Sequence, residues 1–188
     1  MRTVWLVSIL AAVLTTPASA GQITLKDLVG ITIRSTVVRE QTTRDLGKKY
    51  EGTVRSEVEV IFGGSGDPIQ FVQTSTWQNN KTGYKSTWTG SGSGLLGKPQ
   101  ENRRSGGGYG VGFLQNDALY YIRTFKSGGF KFEFKLARTS KGLACTSRET
   151  FLQERGSKEI RVTSDTTRRP IVVLSDRQVS STCSVIKR

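Results

Sequence analysis

Phe130-Lys131-Phe132-Glu133-Phe134-Lys135-Leu136 alternates large apolar and charged residues without a break. Side chains on a β-strand leave opposite faces with a period of two, so this stretch lines one face with four apolar groups and the other with three charges. A helix would scatter the same apolar residues around its circumference and bury none of them cleanly. Upstream, Tyr109 to Leu114 and Ala118 to Phe125 are separated from it and from each other by turns at Gln115-Asn116-Asp117 and Lys126-Ser127-Gly128-Gly129. Short strands joined by polar turns make an antiparallel meander with one dry face and one wet face.

The same rhythm extends in both directions. Ile31 to Thr43 is expected to be a long strand, and Arg44 to Lys49 the turn that ends it. In the next strand, Tyr50 to Phe62, Val54, Ser56, Val58, Val60 and Phe62 share a face, while Arg55, Glu57 and Glu59 share the other. Ile69 to Gln78 and Tyr84 to Gly90 follow, joined by the hairpin signature Asn79-Asn80-Lys81-Thr82-Gly83 and carrying Trp77 and Trp88. Residues 91–108 are rich in Gly and Ser and are expected to form a long loop. Toward the C terminus, strands are expected over Leu143 to Gln153, Glu159 to Ser164, Pro170 to Leu174 and Gln178 to Ile186. Thr24-Leu25-Lys26-Asp27 has capping-box spacing, which predicts a short helical segment plugging one end of a barrel.

Nine or ten short strands with no crossover helix predict an all-β fold, a single domain over 21–188. Consecutive hairpins favour a small up-and-down β-barrel, because closure removes exposed edges, with a β-sandwich as second choice. That outline resembles the lipocalins in shape alone. Their first strand opens with Gly-x-Trp, and here Gly30-Ile31-Thr32 puts threonine in the tryptophan position.

The first twenty residues are expected to be a cleaved signal peptide. Met1-Arg2 supplies the positive start, Val4 to Leu14 the apolar core, and Ala18-Ser19-Ala20 the small-residue cleavage site. The mature chain then begins at Gly21, with 168 residues (188 minus 20) and a net charge of +12 (27 basic minus 15 acidic). No later apolar run is long enough for a transmembrane helix. Export into an oxidising compartment predicts a Cys145–Cys183 disulfide closing a loop of about 39 residues, for which chain entropy gives roughly 4 kcal/mol of stabilisation.

Catalytic machinery is hard to find in this composition. The chain has no histidine, so Ser-His and Cys-His nucleophile systems and histidine metal sites are excluded. Gly92 to Lys98 echoes a phosphate-binding loop, but Pro99 stands where the motif needs Ser or Thr, and no helix pattern follows. Glu57 and Glu59 share a strand face with Arg55 and are expected to be an exposed charge ladder, not a catalytic pair. No catalytic residue, metal or cofactor is expected.

Binding is the remaining class. The first expectation is an exported, monomeric or weakly associating protein of the periplasm or extracellular space. It would hold a small or lipid-like ligand, or an envelope component, in an apolar cup lined by Trp77, Trp88, Phe130, Phe132 and Phe134. The second is a polyanion site for lipopolysaccharide, an acidic glycan or DNA. Strict up-and-down alternation of the hairpins would collect Lys48, Lys49, Lys81, Lys141, Arg168 and Arg169 at one end of the barrel. A carboxylate-dependent hydrolase is the third.

Overall fold

The computed structural model describes residues 22–66, 69–97, 100–102, 108–116, 118–125, 128–152, 160–163 and 170–187. For Trp88 and for positions 100–102, 108–110, 123–125, 128–130, 160–163 and 170 it describes the backbone alone. The expected signal peptide lies outside the described residues.

The described residues are antiparallel β almost throughout. A single helical turn, α1 (Leu25–Leu28), precedes β1 (Ile31–Asp45), β2 (Lys48–Phe62), β3 (Ile69–Asn79) and β4 (Lys85–Gly94). Then come β5 (Gln100–Asn102), β6 (Gly108–Gln115), β7 (Ala118–Phe125), β8 (Gly128–Thr139), β9 (Gly142–Leu152), β10 (Ile160–Thr163) and β11 (Pro170–Lys187). They form a six-stranded sheet in the order β10-β11-β1-β2-β3-β4 and a five-stranded sheet in the order β5-β6-β7-β8-β9. The all-β expectation holds, but no closed barrel is found among the described residues. No described helix is long and apolar enough to cross a membrane.

Two expected boundaries change. The loop expected over 91–108 is partly strand: β4 continues through Gly94, and Gln100–Asn102 pairs with Gly108–Gly110. Backbone hydrogen bonding across the ladder overrides the weak strand preference of Gly and Ser there. The last two expected strands are one, β11, which pairs with β1 along its length and absorbs the irregularity in register shifts at Val38/Arg39 and Thr42/Thr43.

The two meanders meet along a seam between β9 and β11. The Cys145–Cys183 disulfide ties them, with a Cα–Cα distance of 5.5 Å. Gln178 adds a second tie, its side-chain amide accepting from Glu149 N at 3.3 Å and donating to Ser147 O at 3.5 Å. A glutamine side chain thus takes the place of a neighbouring strand along the free edge of β9.

Alternation decides the core. Ile31, Ile33, Val58, Val60, Phe62, Ile69 and Phe71 of the larger sheet meet Leu119, Tyr121, Phe132, Phe134 and Leu136 of the smaller one. Phe71 stacks on Tyr121 with ring centroids 3.8 Å apart, and Phe132 lies 5.6 Å from Phe71. Each such side chain stabilises the fold by roughly 1.5–3 kcal/mol relative to exposure. Gly112 lets the sheets approach, since a Cβ there would lie 2.6 Å from Ile69 Cδ1. Leu28 and Ile23 close one end of this core. Here Asp27 accepts from both Thr24 N and Thr24 Oγ1 (2.7 and 2.8 Å) and pairs with Arg138 at 2.7 Å. The expected helical turn is present, and it closes an end of the core between two sheets where a barrel mouth was expected.

Candidate functional site

The fold has a helix end, where α1 and the β8–β9 turn meet, and an opposite hairpin end. Pairing of Asp45 with Lys48 and of Gln78 with Lys85 puts the β1–β2 and β3–β4 turns at the hairpin end. The sequence-derived basic cluster therefore divides. Lys48, Lys49 and Lys81 are together at the hairpin end, whereas Lys141 follows Arg138 at the helix end, beside Asp27. Strict alternation failed twice. β5 adds a reversal the sequence pattern does not show, and β9 and β10 both run antiparallel to β11, so no reversal separates them. Arg168 and Arg169 lie outside the described residues, in the connection between Thr163 and Pro170, which pair with each other.

Among the described residues, two tight turns stand at the hairpin end. Leu46-Gly47 is the two-residue tip of β1–β2, with φ of 49° and 78°. A two-residue hairpin of the right hand needs positive φ at both central positions, which ordinarily selects Asn-Gly or Asp-Gly. Leucine occupies the first position instead and is 75% exposed. In the β3–β4 turn, Asn79 Oδ1 accepts from Lys81 N and Thr82 N, both at 2.9 Å. Asn80 N donates to Glu51 O at 2.9 Å, which fixes that turn against β2. Lys48, Lys49, Lys81, Tyr84 and Lys85 are exposed or nearly so around these tips. None of the four lysines makes an ion pair with a described residue. By contrast, acids on the outer face of the larger sheet are already paired: Arg34–Glu59 and Arg55–Glu57 at 2.9 Å, and Arg177–Glu40 at 2.6 Å. Glu57 and Glu59 are thus the expected charge ladder.

Between the sheets, above the apolar core, lies a polar compartment that the sequence reading missed. Arg39 is 1% exposed, its guanidinium 4.1 Å over the Phe151 ring. It faces two carboxylates: Asp176, in direct contact, and Glu149, whose Oε2 is 3.5 Å from Arg39 Nη1. Gln41 donates to Asp176 at 2.9 Å. Burial pushes the Glu149 carboxyl above the usual glutamate range, while the Arg39 charge and a Ser56 hydrogen bond pull it back. Around it run Ser35–Ser147 at 2.6 Å and Ser56–Ser75 at 2.9 Å. Arg39 Nε and Nη1, Glu149 Oε2, Gln73 Oε1 and Trp77 Nε1 are buried without a hydrogen-bond partner. The signal was present in β1: Ile31, Ile33, Ser35, Val37, Arg39 and Gln41 keep strict alternation, which sends Arg39 inward with the apolar residues.

The aromatic residues expected to line a cup are placed as follows. Phe132 and Phe134 are fully buried and packed into the core. Trp77 is half-buried, its ring occupying the space a Cβ at Gly52 would need, 2.4 Å away. Trp88 pairs by register with Ser75, and Phe130 with Arg123 and Phe151, while the side chains of both lie outside the description.

Compared with protein-family models, with curated proteins and with solved structures, the chain matches none of them.

Proposed function

We propose that the protein is an exported, non-catalytic binding protein that engages an anionic envelope component through its hairpin end. The observation that carries this is the group of four exposed lysines, Lys48, Lys49, Lys81 and Lys85, none of which makes an ion pair with a described residue although Asp45 and Glu51 lie at the same end. Clustered unpaired charge concentrates polyanions locally and speeds their encounter. The disulfide and the expected signal peptide suit a compartment where phosphorylated lipids and acidic glycans are available. In this proposal the two sheets are a flattened, incompletely closed barrel, since the chain runs through both sheets before β11 returns to β1. The test is retention on a heparin-like polymer across a salt series. Changing all four lysines to serine should remove most of the affinity and its salt dependence, and undiminished affinity would end the idea.

A second reading rests on the polar compartment. The apolar half of the interior is filled by Phe71, Tyr121, Phe132 and Phe134, so a small ligand would sit beside Arg39, Glu149 and Trp77. Buried Arg39 Nε, Gln73 Oε1 and Trp77 Nε1, which have no hydrogen-bond partner, suit a small polar molecule better than a lipid tail. Native mass spectrometry of the oxidised protein would detect it as an adduct of defined mass. A bare monomer would leave the compartment to water.

A further inference from the structure

We infer that the hairpin end docks onto an anionic phospholipid bilayer, with Leu46 entering the headgroup–acyl boundary and Lys48, Lys49, Lys81 and Lys85 contacting lipid phosphates. This deepens the proposed function by naming the partner as a lipid surface instead of a soluble polymer.

Leu46 is the first reason. An exposed turn tip with φ of 49° is a poor place for leucine on conformational grounds, because Cβ crowds the backbone in the left-handed region. Asn, Asp or Gly would relieve the crowding and would suit solvent better. Polyanion binding gives no use for an apolar tip, since phosphates and sulfates are recognised by charge and hydrogen bonds. A bilayer gives a use for both: the apolar side chain partitions into the boundary while lysines are drawn to the negative surface.

The surroundings agree. Lys48 and Lys49 directly follow the Leu46-Gly47 tip, and Lys81 and Lys85 flank Tyr84, which is 56% exposed. A tyrosine beside lysines is the composition favoured at a membrane–water boundary. The β3–β4 turn is anchored to β2 at Glu51, so the two tips are stepped by about three residues, roughly 10 Å along the strands. They are two strand spacings apart, again roughly 10 Å. A plane inclined at about 45° to the strands therefore touches both tips, a tilt set by these spacings. Leu174, 41% exposed, lies at the same end by its place between Val173 and Ser175, the partners of Thr43 and Thr42.

The experiment is co-sedimentation with vesicles of equal parts phosphatidylglycerol and phosphatidylcholine, and with phosphatidylcholine alone. The protein comes from a secreting host, disulfide intact and N terminus read by mass. Binding to the anionic vesicles and not to the neutral ones is expected. The four-lysine-to-serine variant should lose it. Leu46→Asn, which suits the turn and keeps the fold, should weaken vesicle binding roughly tenfold, the equivalent of about 1.4 kcal/mol, while leaving heparin retention unchanged. If Leu46→Asn binds vesicles as tightly as the parent, the bilayer inference fails while polyanion binding stands. Loss of both heparin and vesicle binding in the parent removes the proposed function as well. A parent that ignores vesicles but self-associates through Leu46, and is monomeric as Leu46→Asn, would make a second copy the partner and overturn the inference.

Discussion

Arg39 on β1 and Glu149 on β9 face each other across the gap between the two sheets, 3.5 Å apart and both almost wholly buried. The pair lies beside the disulfide seam, so charge and covalent bond hold the same two meanders together. Removing one partner leaves the other buried without compensation, whereas replacing both by apolar groups removes the desolvation cost along with the attraction. Arg39→Leu should therefore cost about 3–5 kcal/mol. The double variant Arg39→Leu/Glu149→Leu should recover most of that loss, Asp176 being nearer to solvent. Urea denaturation of the two single variants and the double variant measures the coupling, and strict additivity would show that the pair does not act as a unit.

Two carboxyls give stability opposite dependences on pH. Glu149 titrates above its usual value of 4.5 in the folded protein, so the fold takes up its proton more readily than the unfolded chain does. Its contribution is fully present below 4.5 and is lost as pH rises through the raised folded value. Asp27 is held down to about 2 from 3.8, first by the Thr24 backbone and hydroxyl hydrogen bonds and then by Arg138. Its contribution is present above 3.8 and is lost as pH falls through about 2. Glu149→Gln should flatten the fall in stability as pH rises above 4.5, and Asp27→Asn the fall as pH drops from 3.8 toward about 2. The Asp27 effect should be the smaller, because solvent screens that pair.

Cys145–Cys183 closes the seam at a Cα–Cα distance of 5.5 Å. Cys145→Ser/Cys183→Ser should lower stability by about 4 kcal/mol on the chain-entropy account. Gln178→Ala, which strips the hydrogen bonds from the β9 edge at Glu149 N and Ser147 O, should cost about 1–3 kcal/mol without altering the covalent topology. Denaturant midpoints with and without reductant separate the two. A Gln178→Ala midpoint equal to the parent's would mean that water replaces the amide at no cost.

Leu46→Asn should stabilise the fold by about 1 kcal/mol, since asparagine tolerates the left-handed conformation that leucine resists. A higher denaturant midpoint with an unchanged slope is the expected reading. Destabilisation would mean that Leu46 packs against something in the folded chain.

Local alternation was enough to assign faces. In β2 and β8, inward Val58, Val60, Phe132 and Phe134 and outward Arg55, Glu57 and Lys135 are where a period of two puts them. The capping box at Thr24 and Asp27 was equally legible, because every atom that forms it lies within one turn. Arg39 was legible in principle, since it holds an inward position in an unbroken alternation. Its partners were not, because Glu149 and Asp176 lie more than a hundred residues away along the chain.

The sequence by itself determined the all-β class, the two faces of each strand and the two half-cystines available to each other. The tertiary structure alone decided which end of the fold each turn occupies. Reversal of direction depends on hydrogen bonds between strands; these leave β9 and β10 running the same way, and upstream they let Gln100–Asn102 join a sheet and add a reversal. That is why Lys141 left the basic end while Lys48, Lys49 and Lys81 remained together. Side-chain period is a property of neighbours in the chain; which strands pair, and therefore which charges gather, depends on residues far apart in it.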